Sequence, residues 1–497
     1  MGKNYYYNIP VVRMGQWSLL PLDSENWHGE ETSKYFKKVF GFSKGTLALH
    51  DIRLGLQYPC FPKSYVDKLY QYIGDINSKD FCSLEKKLNN FYKLKKLAKS
   101  KILKISAGLD KISNKKLIRL FINNRDWAHR AAVYDQFGWI AEDYWNPIME
   151  KLITAKFNVP KNSKQYFKVL FTLTKPKFIS TTLEERKNLL QAAINIYNDE
   201  KSDNGIKSES IKLSKKFGWM PVFTYGTPWD SAHYKMEIVD LLKKPQSELL
   251  SEFDNLKNYS INRKLEINKL VKQYKISKKD LQIFLDFALV LDARNEAEYI
   301  ISFAGFHLLP IYKEIARRLA VSVRQLRCLF ESEIIDSLNG KIDIVKLLHK
   351  KGNYVGWSFN ETMDKRINFT AEETKKLLEY LNKTAPLLQG DQENQGVCAC
   401  SGSARGKAKI VLSPDENDKV EAGDILITHA TTVDYLPAMK KAVAIVTEVG
   451  GLTCHAAVVS REFNIPCVVG LKNATKLFKD GDKIIVDADR ASVTKSE

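Results

Sequence analysis

The chain has 497 residues, which is longer than one ordinary domain and predicts roughly two to four domains. With 44% hydrophobic residues it can form sizeable cores. The longest apolar stretch, residues 283–311, is interrupted by charged side chains, and the first ten residues lack the apolar core of a signal peptide. These features argue against a membrane association and favour a cytoplasmic protein.

The formal net charge of +19 is unevenly distributed. Residues 396–497 contain 13 Lys and Arg and 13 Asp and Glu, so the whole excess belongs to residues 1–395. Such a basic region can attract an anionic substrate, a nucleotide, nucleic acid or an acidic partner. The general richness of the chain in Lys, Asn and Ile is an equally simple explanation.

The seven cysteines do not indicate a disulfide framework, because their number is odd and the chain is long. Cys398 and Cys400 have a CxC spacing, but no second Cys or His pair lies nearby, so we expect no metal. For Cys454 we expect a packing or helix-start role.

Residues 1–60 are rich in aromatic side chains and mix short-strand and loop signals, which predicts an ordered entry segment without a glycine-rich phosphate loop. From residue 61 to residue 388, apolar side chains recur at three- and four-residue spacings, which predicts a mostly helical domain. Two helix starts carry capping signals, Ser277 with Asp280 and Thr370 with Glu373.

Residues 389–397, QGDQENQGV, are polar, contain glycine and have no apolar periodicity. They predict a swivel linker, which separates the helical region from a C-terminal domain at residues 398–497.

Within that domain, residues 423–470 have the pattern of strand, loop, helix, strand, glycine turn, helix and strand. The β-branched run AVAIVTEV, residues 442–449, has the length of a strand and ends at Gly450 and Gly451. Glycines at this point permit a sharp reversal and a close approach of the backbone.

Thr453 is the predicted N-cap of the next helix, from Cys454 to Phe463, so His455 falls in the first helical turn. The positive end of a helix dipole disfavours an imidazolium ion and favours a nearby anion. This position therefore suits a neutral histidine that becomes phosphorylated, which is a form of nucleophilic catalysis.

The segment TEVGGLTCHAAVVSREFNIPCVVG, residues 447–470, resembles the phosphohistidine swivelling domain of the phosphoenolpyruvate-utilising family, which includes phosphoenolpyruvate synthase, pyruvate phosphate dikinase and rifampicin phosphotransferase. Residues 402–408 resemble the entry to that domain, and residues 424–437, with Asp424, Thr431, Thr432, Asp434 and Pro437, resemble a segment of the same domain that contains threonine and proline. Ala488, Asp489, Arg490 and Ala491 depart from the family pattern, which has glycines there, and this puts the geometry of a hairpin in doubt.

The resemblance implies a multidomain protein with a mostly α N-terminal and central region and a C-terminal α/β swivelling domain. His455 would be the phosphoryl carrier. The residues that would surround its phosphate are Gly450, Gly451, Thr453, Cys454 and Arg461.

In this family the histidine carries phosphate between an ATP-grasp domain and a second active site. About sixty residues precede the helical region and 42 follow His455, so we expect this sequence to lack both the ATP-grasp domain and a phosphoenolpyruvate-binding TIM barrel. The resemblance then implies a split phosphotransferase whose separate ATP-grasp partner binds ATP and Mg²⁺, while this chain binds no cofactor of its own.

Residues 215–234 and 315–334 resemble central segments of the same family more weakly, so by analogy the helical region holds an anionic or other small-molecule phosphate acceptor. An acceptor site needs a base and a cation. The candidate side chains are His129, Arg130, Asp135, Glu142, Asp143, Asp230, His233, Arg294, Glu296, Glu298 and His307.

An alternative hypothesis is a non-catalytic module that keeps the swivelling fold and binds nucleic acid or a protein complex through its basic helical region. Binding of that kind would weaken steeply with salt and would not depend on His455.

Overall fold

The computed structural model describes residues 11–13, 21–42, 45–53, 56–79, 81–102, 108–161, 163–198, 202–223, 227–359, 366–384, 396–452 and 454–496. The chain forms two compact units. The first comprises Met1–Tyr144 and Phe303–Glu393, and the second comprises Trp145–Ser302 and Asn394–Glu497.

The helices of the described residues are α1 (Pro21–His28), α2 (Glu30–Phe40), α3 (Lys63–Lys79), α4 (Phe81–Lys101), α5 (Asn114–Lys151), α6 (Lys164–Leu173), α7 (Thr181–Asn198), α8 (Asp203–Phe217), α9 (Ser231–Leu241), α10 (Gln246–Lys257), α11 (Tyr259–Tyr274), α12 (Lys278–Arg318), α13 (Val323–Arg327), α14 (Glu331–Leu338), α15 (Ile344–Lys351), α16 (Ala371–Thr384), α17 (Leu436–Lys441), α18 (His455–Phe463) and α19 (Ala474–Leu477). The prediction of a mostly helical N-terminal and central region is confirmed.

The strands are β1 (Val11–Arg13), β2 (Thr46–Asp51), β3 (Leu56–Pro62), β4 (Tyr354–Phe359), β5 (Arg366–Phe369), β6 (Val397–Cys400), β7 (Ser403–Ile410), β8 (Ile425–Thr428), β9 (Ala444–Thr447), β10 (Cys467–Val469), β11 (Lys483–Asp487) and β12 (Ser492–Lys495).

The first unit contains a five-stranded antiparallel sheet with strand order β1-β3-β2-β4-β5. Helix α16 packs on this sheet, with Leu377 and Leu381 in one buried cluster with Leu47 and Leu49. The helix begins at the predicted capping box, because Glu373 N donates to Thr370 Oγ1 at 3.2 Å and Thr370 N donates to Glu373 Oε2 at 2.7 Å. The sheet itself was not predicted from the sequence.

A second core of the first unit lies among its helices. Phe121 of α5 and Ile311 and Ile315 of α12 belong to one buried cluster with residues of α13, α14 and α15. Within α12 and α14 these residues recur at the three- and four-residue spacing of a helix face, which is the apolar periodicity that predicted helices here.

The second unit contains helices α6 to α11 and parts of α5 and α12. Helix α12 begins at its predicted cap, where Asp280 N donates to Ser277 Oγ at 3.1 Å. The apolar pattern of residues 249–276 belongs to two helices, because Asn258 ends α10 and precedes α11.

The C-terminal part of the second unit is built on a seven-stranded sheet of order β12-β11-β7-β8-β9-β10-β6. Strands β7, β8, β9 and β10 are parallel, and the flanking pairs are antiparallel. Every residue of β8, β9 and β10 is buried, as expected for apolar strands in the centre of a parallel sheet. The predicted C-terminal α/β fold is therefore confirmed.

The hairpin placed in doubt by the missing glycines is present. Strands β11 and β12 pair in antiparallel register, from Asp487 with Ser492 to Ile484 with Lys495. Ala491 takes the left-handed conformation at φ 50°, where a glycine would be unstrained. Arg490 N donates to Asp487 Oδ1 and helps to close the turn.

The predicted domain boundaries stay a prediction. Of the predicted linker, residues 389–395 lie outside the described residues, and Val397 begins β6. Cys398 and Cys400 are buried on β6. Cys400 lies opposite Cys467 in the antiparallel backbone pairing of β6 with β10. No helix among the described residues combines the length and the apolar character needed to cross a membrane.

Candidate functional site

The candidate site lies where the adjacent parallel strands β8 and β9 end. The carboxyl ends of parallel strands meet at one edge of a sheet, so the loops that follow them come together there. The loop after β8 contains Thr431, and the loop after β9 leads to His455. Backbone pairing continues past the strands, since Glu448 N donates to Thr428 O and Val449 N donates to His429 O, each at 3.0 Å.

Helix α18 begins one residue later than predicted. Its N-cap is Cys454, and the predicted assignment of that role to Thr453 is wrong. Cys454 has extended backbone angles, and its Sγ accepts a hydrogen bond from Ala457 N at 3.4 Å. Thr453 itself lies outside the described residues, so its predicted phosphate contact stays a prediction.

The turn before α18 requires glycine at Gly450. Its φ is 122°, and a Cβ atom there would lie 2.9 Å from Cys454 Sγ. Cys454 N also donates to Gly451 O at 3.2 Å. The two predicted glycines thus bring the backbone close to the cap residue, which in turn places His455 in the first helical turn.

The two ring nitrogens of His455 have different surroundings. Nδ1 lies 3.0 Å from Thr431 Oγ1, and these atoms share a hydrogen bond. Nε2 is buried and has no hydrogen-bond partner among the described residues. A ring that donates its Nδ1 proton to Thr431 keeps the lone pair on Nε2, so Nε2 is the nitrogen able to act as a nucleophile.

The His455 side chain is neutral at physiological pH. The residue is 4% exposed, and burial lowers its pKa from 6.5 to about 3, assisted by the positive charge of Arg294. Arg294 is fully buried on α12. The same positive charge that disfavours an imidazolium ion would favour a phosphoryl group on the ring.

A carboxylate at the end of β9 braces the two site loops. Glu448 accepts a hydrogen bond from His429 Nδ1 at 2.8 Å and one from Thr475 N at 2.8 Å. Burial raises the pKa of Glu448, but these hydrogen bonds outweigh it and hold the pKa below its usual value. The ionised carboxylate therefore ties together the loop after β8, the end of β9 and α19.

The second half of α18 faces helices α6, α7 and α12. Arg461 Nη1 donates to Leu452 O at 2.8 Å and to Ala399 O at 3.2 Å, and its guanidinium lies 4.7 Å from the centre of the Phe171 ring. Its predicted contact with phosphate stays a prediction. Burial raises the pKa of Glu462 to about 7, and the nearby charge of Glu296 acts in the same direction.

A cleft of about 1020 Å³ lies beside this half of α18. Val458, Glu462 and Asn295 are among its lining residues, together with basic and aromatic side chains of α6, α7 and α11. Its size is at the upper end of the range for small-molecule sites, roughly 300–1,000 Å³. Since Val458 is three residues beyond His455, the cleft comes within one helical turn of the histidine.

Three of the candidate acceptor residues have structural roles in the second unit. Asp230 caps α9 by accepting from His233 N at 2.9 Å, and the His233 ring is stacked on Trp229. Glu296 accepts from Thr181 N and from Thr181 Oγ1, each at 2.7 Å, and so caps α7. Of the candidates, only Arg294 has a charge that acts on the pKa of His455 among the described residues.

His129 and Arg130 belong to the first unit, on α5. His129 Nδ1 shares a hydrogen bond of 3.0 Å with Thr32 Oγ1, and Arg130 Nη2 forms an ion pair of 2.8 Å with Asp126. Their role in acceptor binding stays a prediction.

Two features of the site were missed in the sequence. Thr431 lies just after β8, which neighbours β9, the strand that leads to His455. This position after a neighbouring parallel strand is a usable signal in the sequence. Lys440 is the second such residue. Its contacts are with α7 and α9, more than 190 residues away in sequence, and no local pattern predicts them.

Comparison with known proteins agrees with this geometry. Residues 420–491 match the family model described as "PEP-utilising enzyme, mobile domain". The matched segment contains Thr431, Gly450, Gly451 and His455. This part of the chain is a PEP-utilising enzyme mobile domain. Domains of this family typically carry a phosphohistidine in phosphotransfer.

The mobile domain is similar to segments of phosphoenolpyruvate synthases. It is 54% identical over 99 residues to the probable phosphoenolpyruvate synthase of Archaeoglobus fulgidus, and 50% identical over 101 residues to the phosphoenolpyruvate synthase of Pyrococcus furiosus. A 93-residue segment is 48% identical to the phosphoenolpyruvate synthase of Neisseria meningitidis serogroup B. These segments cover 18–20% of this chain and only 12–13% of the relatives.

Proposed function

We propose that this chain is a phosphotransferase component that carries a phosphoryl group on Nε2 of His455. The observation that supports the proposal is the asymmetry of the buried ring, with Nδ1 hydrogen-bonded to Thr431 and Nε2 uncommitted at the start of α18. A neutral imidazole in this arrangement is ready for nucleophilic attack without losing a proton first.

In the charging step, the Nε2 lone pair forms a bond to phosphorus. The bond between phosphorus and the donor's leaving oxygen breaks, and the leaving group takes the electron pair. The Nδ1 proton stays on the ring and continues to donate to Thr431 Oγ1. Backbone N–H groups in the first turn of α18 stabilise the added negative charge.

In the transfer step, an acceptor oxygen forms a bond to phosphorus as the P–N bond breaks. The electron pair returns to Nε2, and the acceptor's proton passes to a carboxylate or histidine base of the helical residues. Arg294 is the proposed cation for the transferring group, because its charge already acts at His455. The cleft next to Val458 is the proposed acceptor site.

The phosphoryl donor is proposed to be a separate ATP-grasp protein that binds ATP and Mg²⁺. This proposal extends the sequence resemblance. Movement of the mobile domain between the donor and the acceptor would connect the two half-reactions.

The test is incubation of the purified chain with ATP labelled separately at the β and γ phosphates, with and without lysate of the source organism. We expect acid-labile, base-stable label on the wild type only when lysate is present. His455→Ala should carry no label. His429→Ala is the matched control, because it removes the other histidine of the mobile domain, and we expect it to stay labelled.

Label on His455→Ala would refute the proposed carrier. Label on the wild type without lysate would show that the chain binds ATP and charges itself, which would overturn the proposed partner. If no condition gives label while a known phosphohistidine protein is labelled, the alternative of a non-catalytic basic module is favoured, and salt-dependent nucleic-acid binding would then be measured.

A further inference from the structure

Lys440, at the end of α17, inserts its side chain between helices outside the mobile domain. The side chain is 10% exposed. Its surroundings are Glu185 of α7, Glu237 of α9 and Trp229, which lies two residues before the start of α9. We call these three residues the Lys440 socket. A lysine is rarely buried unless its charge is paired.

The socket surrounds the Lys440 ammonium group with two carboxylates and an aromatic ring. Lys440 Nζ donates to both carboxylate oxygens of Glu185, at 3.2 and 3.3 Å, and lies 4.0 Å from Glu237 Oε2. The ammonium group also lies 4.5 Å from the centre of the Trp229 ring, within the range of a cation–π interaction. An ion pair and an aromatic face together make the socket specific for a cation.

His233, which packs against Trp229 of the socket, does not add a second positive charge to it. The His233 ring is stacked on Trp229 with centroids 4.5 Å apart. Burial lowers the pKa of His233 to about 4, and the charge of Lys440 acts in the same direction, so this ring is neutral at physiological pH. Glu185 is fully buried, and burial raises its pKa above the ordinary value, although the charge of Lys440 acts in the opposite direction.

The neighbouring lysine has a different environment. The Lys441 side chain is 43% exposed, and its Nζ lies 4.0 Å from Asp418, which belongs to the same C-terminal domain, residues 398–497. These two consecutive lysines of one short helix therefore differ in exposure and in their ion-pair partners. Of the two, Lys440 is the one that contacts the acidic groups of α7 and α9. This contrast provides a matched control.

We propose that Lys440 is a positioning residue that holds the mobile domain on the socket, with His455 buried near Arg294. This role rests on the proposed phosphotransfer, because it defines the docked position from which His455 would face the acceptor. Arg461 supports the same position through its contact with Phe171 of α6. Release of Lys440 would let His455 leave this buried site for charging.

The first test measures the accessibility of His455 and needs no phosphate. The rate of His455 modification by diethyl pyrocarbonate is followed by peptide mass spectrometry. We expect Lys440→Ala to raise this rate about tenfold, which corresponds to a shift of about 1.4 kcal/mol in the docking equilibrium. Lys441→Ala should leave the rate unchanged. Exposed His349 provides the internal reference for the reagent.

Two further variants separate docking from folding. Lys440→Arg keeps the charge and should restore a rate near that of the wild type. Glu185→Gln keeps the shape of the socket but removes its buried charge, and should raise the rate of His455 modification as Lys440→Ala does. Circular dichroism and the melting temperature confirm that each variant is folded.

The second test uses labelled phosphohistidine. In Lys440→Ala, charging of His455 in the presence of lysate should proceed at least as fast as in the wild type, while loss of label to the acceptor slows about tenfold. A variant that was merely less stable would slow both steps.

Equal modification rates for His455 in the wild type, Lys440→Ala and Glu185→Gln would overturn the positioning role. If the modification rate rises as expected but no condition charges His455, the docking role stands and the proposed function fails. The two failures are therefore distinguishable.

Discussion

Stability should depend on pH through His455, and the structure sets the size of the effect. The ring titrates near pH 6.5 when the chain is unfolded, and burial with the charge of Arg294 lowers its pKa to about 3 in the folded protein. Below pH 6.5 the unfolded state binds a proton that the folded state does not, so stability is lost as pH falls. Between pH 8 and pH 5 the loss is about 2 kcal/mol.

The perturbation is His455→Asn, which removes the titrating ring. The assay is urea unfolding of the wild type and the variant at pH 8 and at pH 5. We expect the free energy of unfolding of the wild type to fall by about 2 kcal/mol more than that of the variant between these two values. Other titrating groups contribute equally to both proteins and cancel in this difference.

His429→Asn is the control, because His429 is partly exposed and its Nδ1 is paired with Glu448. It should not reproduce the effect of His455→Asn. If the wild type and His455→Asn lose the same stability between pH 8 and pH 5, the imidazole is not buried in its neutral form and the geometric argument for Nε2 is refuted.

Three other substitutions test the site. Thr431→Val should slow charging of His455 by up to about tenfold, the equivalent of one hydrogen bond, in the labelled-ATP assay. Gly450→Ala should destabilise the mobile domain and lower charging, because its Cβ would lie 2.9 Å from Cys454 Sγ, and both melting temperature and label are measured. Glu462→Gln should stabilise the protein above pH 7 by roughly 3 kcal/mol, since the raised pKa of Glu462, about 7, makes the native carboxylate unfavourable as pH rises past 4.5.

Matched variants accompany these substitutions. Thr432→Val removes the adjacent hydroxyl and should leave charging unchanged. Gly423→Ala also places alanine at a positive φ, 96°, but meets no atom within 4 Å, so any additional loss in Gly450→Ala reports the contact with Cys454. Glu421→Gln changes an exposed carboxylate and should show no stabilisation above pH 7. Equal behaviour of a variant and its control would contradict the corresponding prediction.

The sequence predicted the local features of the fold well. Apolar periodicity, the capping pair Thr370 and Glu373, and the cap at Ser277 each depend on residues a few positions apart. The five-stranded sheet was not predicted, because Thr46 of β2 pairs with Phe359 of β4 across more than 300 residues of sequence. Short strands with such distant partners leave no periodic signal of their own.

In the candidate site, too, local features were predicted from the sequence and long-range contacts were not. His455 and its glycine turn form one continuous segment, so their geometry could be predicted to within one residue. The pairing of Lys440 with Glu185 could not, since each of these charges is equally compatible with a solvent-exposed helix face until the helices are placed together. The burial of Arg294 within a long helix had the same ambiguity.

The shielding of Nε2 has a consequence for the lifetime of a phosphorylated intermediate. A P–N bond is hydrolysed only when water reaches it, and bulk water has little access to a residue that is 4% exposed. Spontaneous loss of phosphate from His455 would then be limited by the opening of the buried site rather than by the chemistry of hydrolysis. The rate at which the isolated phosphoprotein loses its phosphate would thus report the rate at which the buried site opens.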